Sequence, residues 1–242
     1  MIVLGLDTST STSGIAIVDE AGRVLAEARH DARARGADLL VAIDEVCRRA
    51  AVAPAGLDVI AIGAGPGSFT GLRIGMATAK GIAFAAGRPL WAVSSLAALA
   101  HDAAEAVDAA AGAAAAADPA GLVIAAVLDA RRGEVFAGCF RAGAPLREER
   151  VMAPEALAAW AEELAAGAPV RYAGDALAAH AALAPLADRW LPVETPSGAA
   201  VARLALAGSR EDVLAGGAPS YIRPSEAEVK YPDGVPGALK TR

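Results

Sequence analysis

The sequence predicts a two-lobed α/β fold built from a duplicated βββαβα unit. Three observations carry this reading. An apolar run ending in Asp occurs twice, in "GLDTSTSTSGIAIVDEAGRVLAE" and "VLDARRGEVFAGCFRAGAPLREE". Each is followed by a polar turn, a Gly, a second strand, a Gly turn and a third strand. Segments of helical period then alternate with further apolar runs in both halves, the layout of two related α/β lobes with a cleft between them. A hydrophobic share of 55% over 242 residues supports a well-filled core. With aromatics at only 4%, helices must pack closely through small side chains.

In order, "IVLGLD" (Ile2–Asp7) is a short apolar strand bounded by a Ser/Thr cluster. "SGIAIVD" (Ser13–Asp19) alternates with period two, as a half-buried strand does. "DEAG" is a turn, and "RVLAEAR" returns as a third strand. From Ala37 to Ala51 apolar residues recur three and four apart at Leu40, Ile43, Val46 and Cys47, an amphipathic helix. "LDVIAIG" is a buried strand, "TGLRIGMATAKGIAFAAG" a helix ending at Gly87, "PLWAVSS" a strand, and "SSLAALAHDAAEAV" a helix capped by Ser94 or Ser95. The Ala/Gly-rich stretch from Ala109 to Gly121 reads as a helix end running into a linker. Beyond the second hairpin come the helix "APEALAAWAEELAAG", the strand "VRYAG", the helix "DALAAHAALAPL" and a last helix, "SGAAVARLALAGSR". The expected organisation is an N-terminal lobe over residues 1–110, a C-terminal lobe over 120–195 and an irregular tail over 216–242. The helix near 196–210 is expected to pack back on the first lobe.

Acidic residues outnumber basic ones 28 to 22, a net charge of -6 that argues against a free-standing nucleic-acid binder. No run reaches the ~18 apolar residues of a membrane helix without Gly or charge interrupting it. "MIVLGL" lacks the basic start and length of a signal peptide. Cys47 and Cys139, the only cysteines, read as buried thiols of a reducing compartment, so the expected location is cytoplasmic.

The stretch "GAGPGSFTGLRIG" (Gly63–Gly75) lies at a strand-to-helix junction. It fails the Walker pattern, because Leu72 follows Gly71 where Lys is required, and it fails G-x-G-x-x-G because its Gly arrives one residue late. Its glycines instead suit close passage of backbone past another surface, with Phe69 and Leu72 offering apolar contacts. Arg73, in a first helical turn where the dipole disfavours a cation, suggests an acidic partner. Asp7 and Asp129 end corresponding strands, where either a metal–nucleotide carboxylate or a turn-capping Asp belongs; Thr8 and Ser9 add hydroxyls beside the first. His30, His101 and His180 are scattered, so no metal site is expected. Ser68 lacks the flanking glycines of a nucleophile elbow. In the tail, Tyr221 and Arg223 are the residues large enough to anchor it.

With "GLDTST", "GPGSFTGLRIG", "LDARRGEVFAG" and "PSYIRP", essentially the whole chain resembles the TsaB (YeaZ) family of tRNA threonylcarbamoyladenosine biosynthesis proteins. The resemblance implies a two-lobed actin-like ATPase (ASKHA, RNase H-like) fold and a non-catalytic relative of TsaD that lacks that enzyme's H-x-x-x-H metal motif. It implies pairing with TsaD, association with TsaE through TsaD, a pathway link to TsaC, and self-association as a homodimer. Contact with tRNA is then indirect, through the complex, and any ATP or ADP is held at a site of the complex, with no cofactor of this chain's own. The implied interface uses the two long N-terminal helices: Leu40, Ile43 and Cys47 on the first, and Gly67, Ser68, Phe69, Thr70, Gly71, Leu72, Arg73, Gly75, Met76 and Ala79 around the second. Gly71, Gly75 and Ala79 form its small-residue stripe. Asp7, Thr8, Ser9 and Asp129 would be a vestigial nucleotide site. The chain departs from the family pattern where a histidine opens the first long helix; here it reads "ARARGADLL". The rival expectations are a stand-alone ATPase or sugar-kinase-like enzyme using Asp7 and Asp129 and, behind it, a peptidase.

Overall fold

A computed structural model describes residues 1–31, 37–111, 121–208 and 210–223. Residues 112–120 of the helix end and linker expected from Ala109 to Gly121, the opening of "ARARGADLL" at 32–36 and the tail beyond 223 lie outside the described residues. The first half runs β1 (Ile2–Asp7), β2 (Thr12–Asp19), β3 (Val24–Asp31), α1 (Ala37–Arg49), β4 (Val59–Gly63), α2 (Phe69–Ala86), β5 (Leu90–Val93) and α3 (Ser95–Ala111). The second half runs β6 (Val123–Asp129), β7 (Val135–Arg141), β8 (Ala144–Pro145), β9 (Arg150–Met152), α4 (Leu157–Ala165), β10 (Val170–Ala173) and α5 (Ala176–Ala179). A 3-10 helix (Ala181–Arg189) and α6 (Gly198–Ala207) complete it. The single helix predicted over Asp175–Leu186 is thus broken at His180, whose backbone is extended.

The two sheets repeat one topology. The first is ordered β3-β2-β1-β4-β5, with β1–β2 and β2–β3 antiparallel and β1–β4 and β4–β5 parallel. In the second, β10-β6-β7 follows the same senses, and β8 and β9 share the place of β3. Where β5 would lie, Trp190 alone bridges Tyr172 in parallel. This is the duplicated α/β layout that the sequence predicts and the actin-like ATPase fold that the family resemblance implies.

Period-two alternation sorts each strand's side chains between two layers. Leu4, Leu6, Ile15, Ile17, Ile60 and Ile62 point to α1 and α2 in one cluster with Leu39, Ile43, Met76 and Ala79. Each fully buried aliphatic of this set contributes about 1.5–3 kcal/mol relative to an exposed one. Val3, Ala16, Val18 and Ala61 point the other way, to the alanine-rich α6. The C-terminal helix therefore packs on the first sheet. In return, α3 packs on the inner face of the second sheet, where Leu96, Leu99 and Ala103 meet Ile124, Leu128 and Phe136. The sequence reading placed α3 with the first lobe; in the structure α3 and α6 lie against each other between the sheets, each covering one of them. Small side chains permit this: α6 begins at Gly198, and a Cβ there would overlap the backbone of Ala16 and Gly5.

Candidate functional site

The carboxyl ends of parallel strands are where open α/β folds bind ligands. At the end of β1, Asp7 is fully buried. Its Oδ1 accepts from the Ser9 amide at 2.8 Å and the Ser9 hydroxyl at 2.5 Å, and its Oδ2 accepts from the Ser95 hydroxyl at 2.6 Å. Burial pushes the Asp7 carboxyl up from the ordinary aspartate range, against the pull of those donors. Thr8 turns its hydroxyl to the Gly71 carbonyl, 2.9 Å away. Of the residues expected to form a vestigial nucleotide site, Asp7, Thr8 and Ser9 are thus together, with their polar groups spent on the chain itself, while Asp129 lies at the end of a strand of the second sheet.

Asp129 occupies the matching place at the end of β6. It pairs with Arg131 at 3.1 Å and with His180 Nε2 at 3.1 Å, while its amide donates to Asp175 at 2.9 Å. Desolvation raises the Asp175 carboxyl pKa, with the neighbouring Asp129 charge adding to the rise. Each strand-end aspartate is held by its own neighbours. Ser95 and His180 are partners that the sequence reading missed; it saw only a helix cap and a scattered histidine.

The glycine-rich stretch supports this packing. Ser68 caps α2 by accepting from the Gly71 amide at 3.3 Å. Its own amide donates to the Ser9 carbonyl at 2.7 Å, and the Gly65 amide donates to Ser95 Oγ at 3.2 Å. The amides of Gly65, Ser68 and Gly71 are therefore engaged within the chain. A Cβ on Gly67 would come within 2.5 Å of Ser9, and Cβ atoms on Gly71 and Gly75 would overlap Thr8. The close approach served by these glycines is to the β1–β2 turn of the same chain.

This corrects the expected interface. Gly75, Ala79, Leu72 and Met76 are buried under α2, and Ile43 and Cys47 are buried under α1, so none of them offers a free surface. Gly67 and Gly71 are half-buried against Ser9 and Thr8. Leu39, not Leu40, enters the core. The outward surface instead consists of Leu40, Val41, Phe69, Thr70, Arg73, Ile74 and Phe84. Phe84 is 82% exposed and Val41 65%. Among the expected residues, Leu40, Ser68, Phe69, Thr70 and Arg73 are exposed; Val41, Ile74 and Phe84 were missed. Large apolar side chains thus stand exposed on both of the helices that cover this side of the first sheet. Arg73 lies over the Phe69 ring, 3.9 Å from its centroid, and donates to the Tyr221 hydroxyl at 3.1 Å.

Elsewhere, His101, Asp102 and Glu105 lie close enough to hold a metal. Asp102 already accepts from the amide and hydroxyl of Ser197, capping α6, and both Glu105 oxygens pair with Arg203. The cluster reads as the α3–α6 joint. Among the described residues, no helix is long and apolar enough to cross a membrane.

Comparison with known proteins adds the following. The family described as "TsaD: tRNA N6-adenosine threonylcarbamoyltransferase" matches residues 26–228. The tRNA threonylcarbamoyladenosine biosynthesis protein TsaB of Bacillus subtilis is 31% identical over 96% of this chain and 98% of its own length. A Pseudomonas aeruginosa crystal structure, described as an uncharacterized protein similar to peptidase YEAZ, superposes with a TM-score of 0.72 at 31% identity. That match covers 92% of this chain and 99% of the other. The structure of YeaZ from Pseudomonas aeruginosa gives a TM-score of 0.64 at 30% identity, covering 86% and 92%.

Proposed function

The chain belongs to the TsaB (YeaZ) family of tRNA threonylcarbamoyladenosine biosynthesis proteins, and from that premise we propose that it is a non-catalytic partner subunit that binds and activates TsaD. In this reading the complex transfers the threonylcarbamoyl group to adenosine 37 of ANN-decoding tRNAs. TsaE joins through TsaD, TsaC supplies the pathway upstream, and the chain acts in the cytoplasm. One observation carries the proposal: an enzyme-like mouth whose Asp7 carboxylate and Gly65, Ser68 and Gly71 amides are bonded internally stands beside an outward apolar helix face. A metal–nucleotide would need Asp7 charged and reachable, whereas here it is fully buried beneath its own serines. The face on α1 and α2, by contrast, exposes Val41, Ile74 and Phe84 to solvent.

That face also serves for self-association, so homodimer and heterodimer compete for it. The net charge of -6 leaves tRNA phosphates to other subunits. Mixing the chain with purified TsaD and following mass by sedimentation is expected to replace any homodimer with a one-to-one complex. If TsaD and this chain sediment independently at micromolar concentrations, the partner role fails.

A further inference from the structure

Residues 210–223 follow neither strand nor helix period, yet they are tied down at intervals. The Val213 amide donates to the Leu90 carbonyl at 2.8 Å, and Asp212 accepts from the Leu90 amide at 3.0 Å, covering the open edge of β5. The Ser220 amide donates to the Ala64 carbonyl at 2.7 Å, in the loop between β4 and α2. Tyr221 then lies against Phe69 at the start of α2, ring centroids 5.2 Å apart, and its hydroxyl takes the Arg73 Nε–H. One residue on, Ile222 enters the apolar layer between α3 and the second sheet. Arg223 donates to the Ala130 carbonyl at 2.7 Å and pairs with Glu134, both in the β6–β7 turn. Three consecutive residues therefore reach from the outward face of α2 to the second sheet.

We propose that this strap is part of the docking surface and couples its occupancy to the contact between the two sheets. The inference rests on the reading that a partner covers the outer face of α2. Tyr221 is 41% exposed and Phe69 42%, so a partner covering one ring covers the other. Arg73 is exposed, gives Nε to Tyr221 and keeps its positive guanidinium over the Phe69 ring. The fitting partner therefore presents apolar side chains beside a carboxylate. Holding Tyr221 restricts a chain anchored only two residues away, at Arg223, which favours the strap's hold on the β6–β7 turn. By linkage, a firm hold on that turn favours docking.

Hydrogen exchange on the full chain, diluted until it sediments as a monomer and then saturated with TsaD, tests this. Docking is expected to slow the amides of Ser220–Arg223 and Ala130–Glu134 about tenfold, together with those of α2. Arg223→Ala, and Glu134→Gln as a milder variant, are expected to leave α2 protected, abolish the added protection of the turn and weaken binding about fivefold. Protection of α2 with no change in the strap and turn would overturn the coupling and leave the docking face intact. No protection of α2 would remove the docking reading and the coupling with it.

Discussion

Phe84→Asp is expected to weaken the complex with TsaD by about 30- to 1000-fold while leaving the chain as stable as the wild type. Phe84 is 82% exposed, so its ring contributes almost nothing to the monomer's core. In a complex, the same ring would be buried against apolar partner surface, and a carboxylate there would be desolvated without a counter-charge. Aromatic anchors of interfaces carry about 2–4 kcal/mol, which corresponds to about 30- to 1000-fold in affinity. Calorimetric titration should show that loss with an unchanged melting temperature. Val41→Asp on α1 should act in the same direction, since Val41 is 65% exposed. Unchanged affinity in both variants would place the contact on some other surface.

The second large effect concerns stability, and it separates the two faces of α2. Gly71→Ala is expected to destabilise the fold by about 3 kcal/mol, because its Cβ would overlap the Thr8 carbonyl oxygen in a packed turn. Gly75→Ala should behave alike, since its Cβ would overlap the Thr8 side chain that Gly71 anchors. Gly81, on the same helix, has open space around it, so Gly81→Ala should raise stability by up to about 1 kcal/mol. Urea denaturation of the three variants reads all of this directly. If Gly71→Ala unfolds like the wild type but no longer binds TsaD, the glycine stripe faces the partner after all.

That contrast shows what the sequence can and cannot reveal. Strand positions were legible because "IVLGLD" is a short apolar run and "SGIAIVD" alternates with period two, and both Asp-ended strands lie where the duplication put them, although β2 is buried on both faces rather than half-buried because α6 covers its second face. The direction of a helix face was not legible. Glycines four apart at 71 and 75 suit a partner helix and an intrachain turn equally, and only the position of Thr8 decides between them. Leu39 and Leu40 are adjacent and chemically identical, and the burial of one rather than the other follows from where α1 meets the sheet. The packing of α6 on the first sheet was expected, but the crossing of α3 to the second sheet was hidden by alanine, which fills the helix and marks no face. His180 reaches Asp129 from 51 residues away, and Ser95 reaches Asp7 from 88, separations at which no local pattern operates. The strap was legible only in its two large residues, Tyr221 and Arg223, whose chemistry demands partners even where the backbone has no period.

The most direct test of the central claim is reconstitution. TsaD, TsaC and TsaE are given unmodified tRNA, threonine, bicarbonate and ATP, with and without this chain, and threonylcarbamoyladenosine is quantified by mass spectrometry. The partner-subunit account predicts modified nucleoside only when the chain is present, and its loss again with Phe84→Asp. Equal modification without the chain would contradict that account.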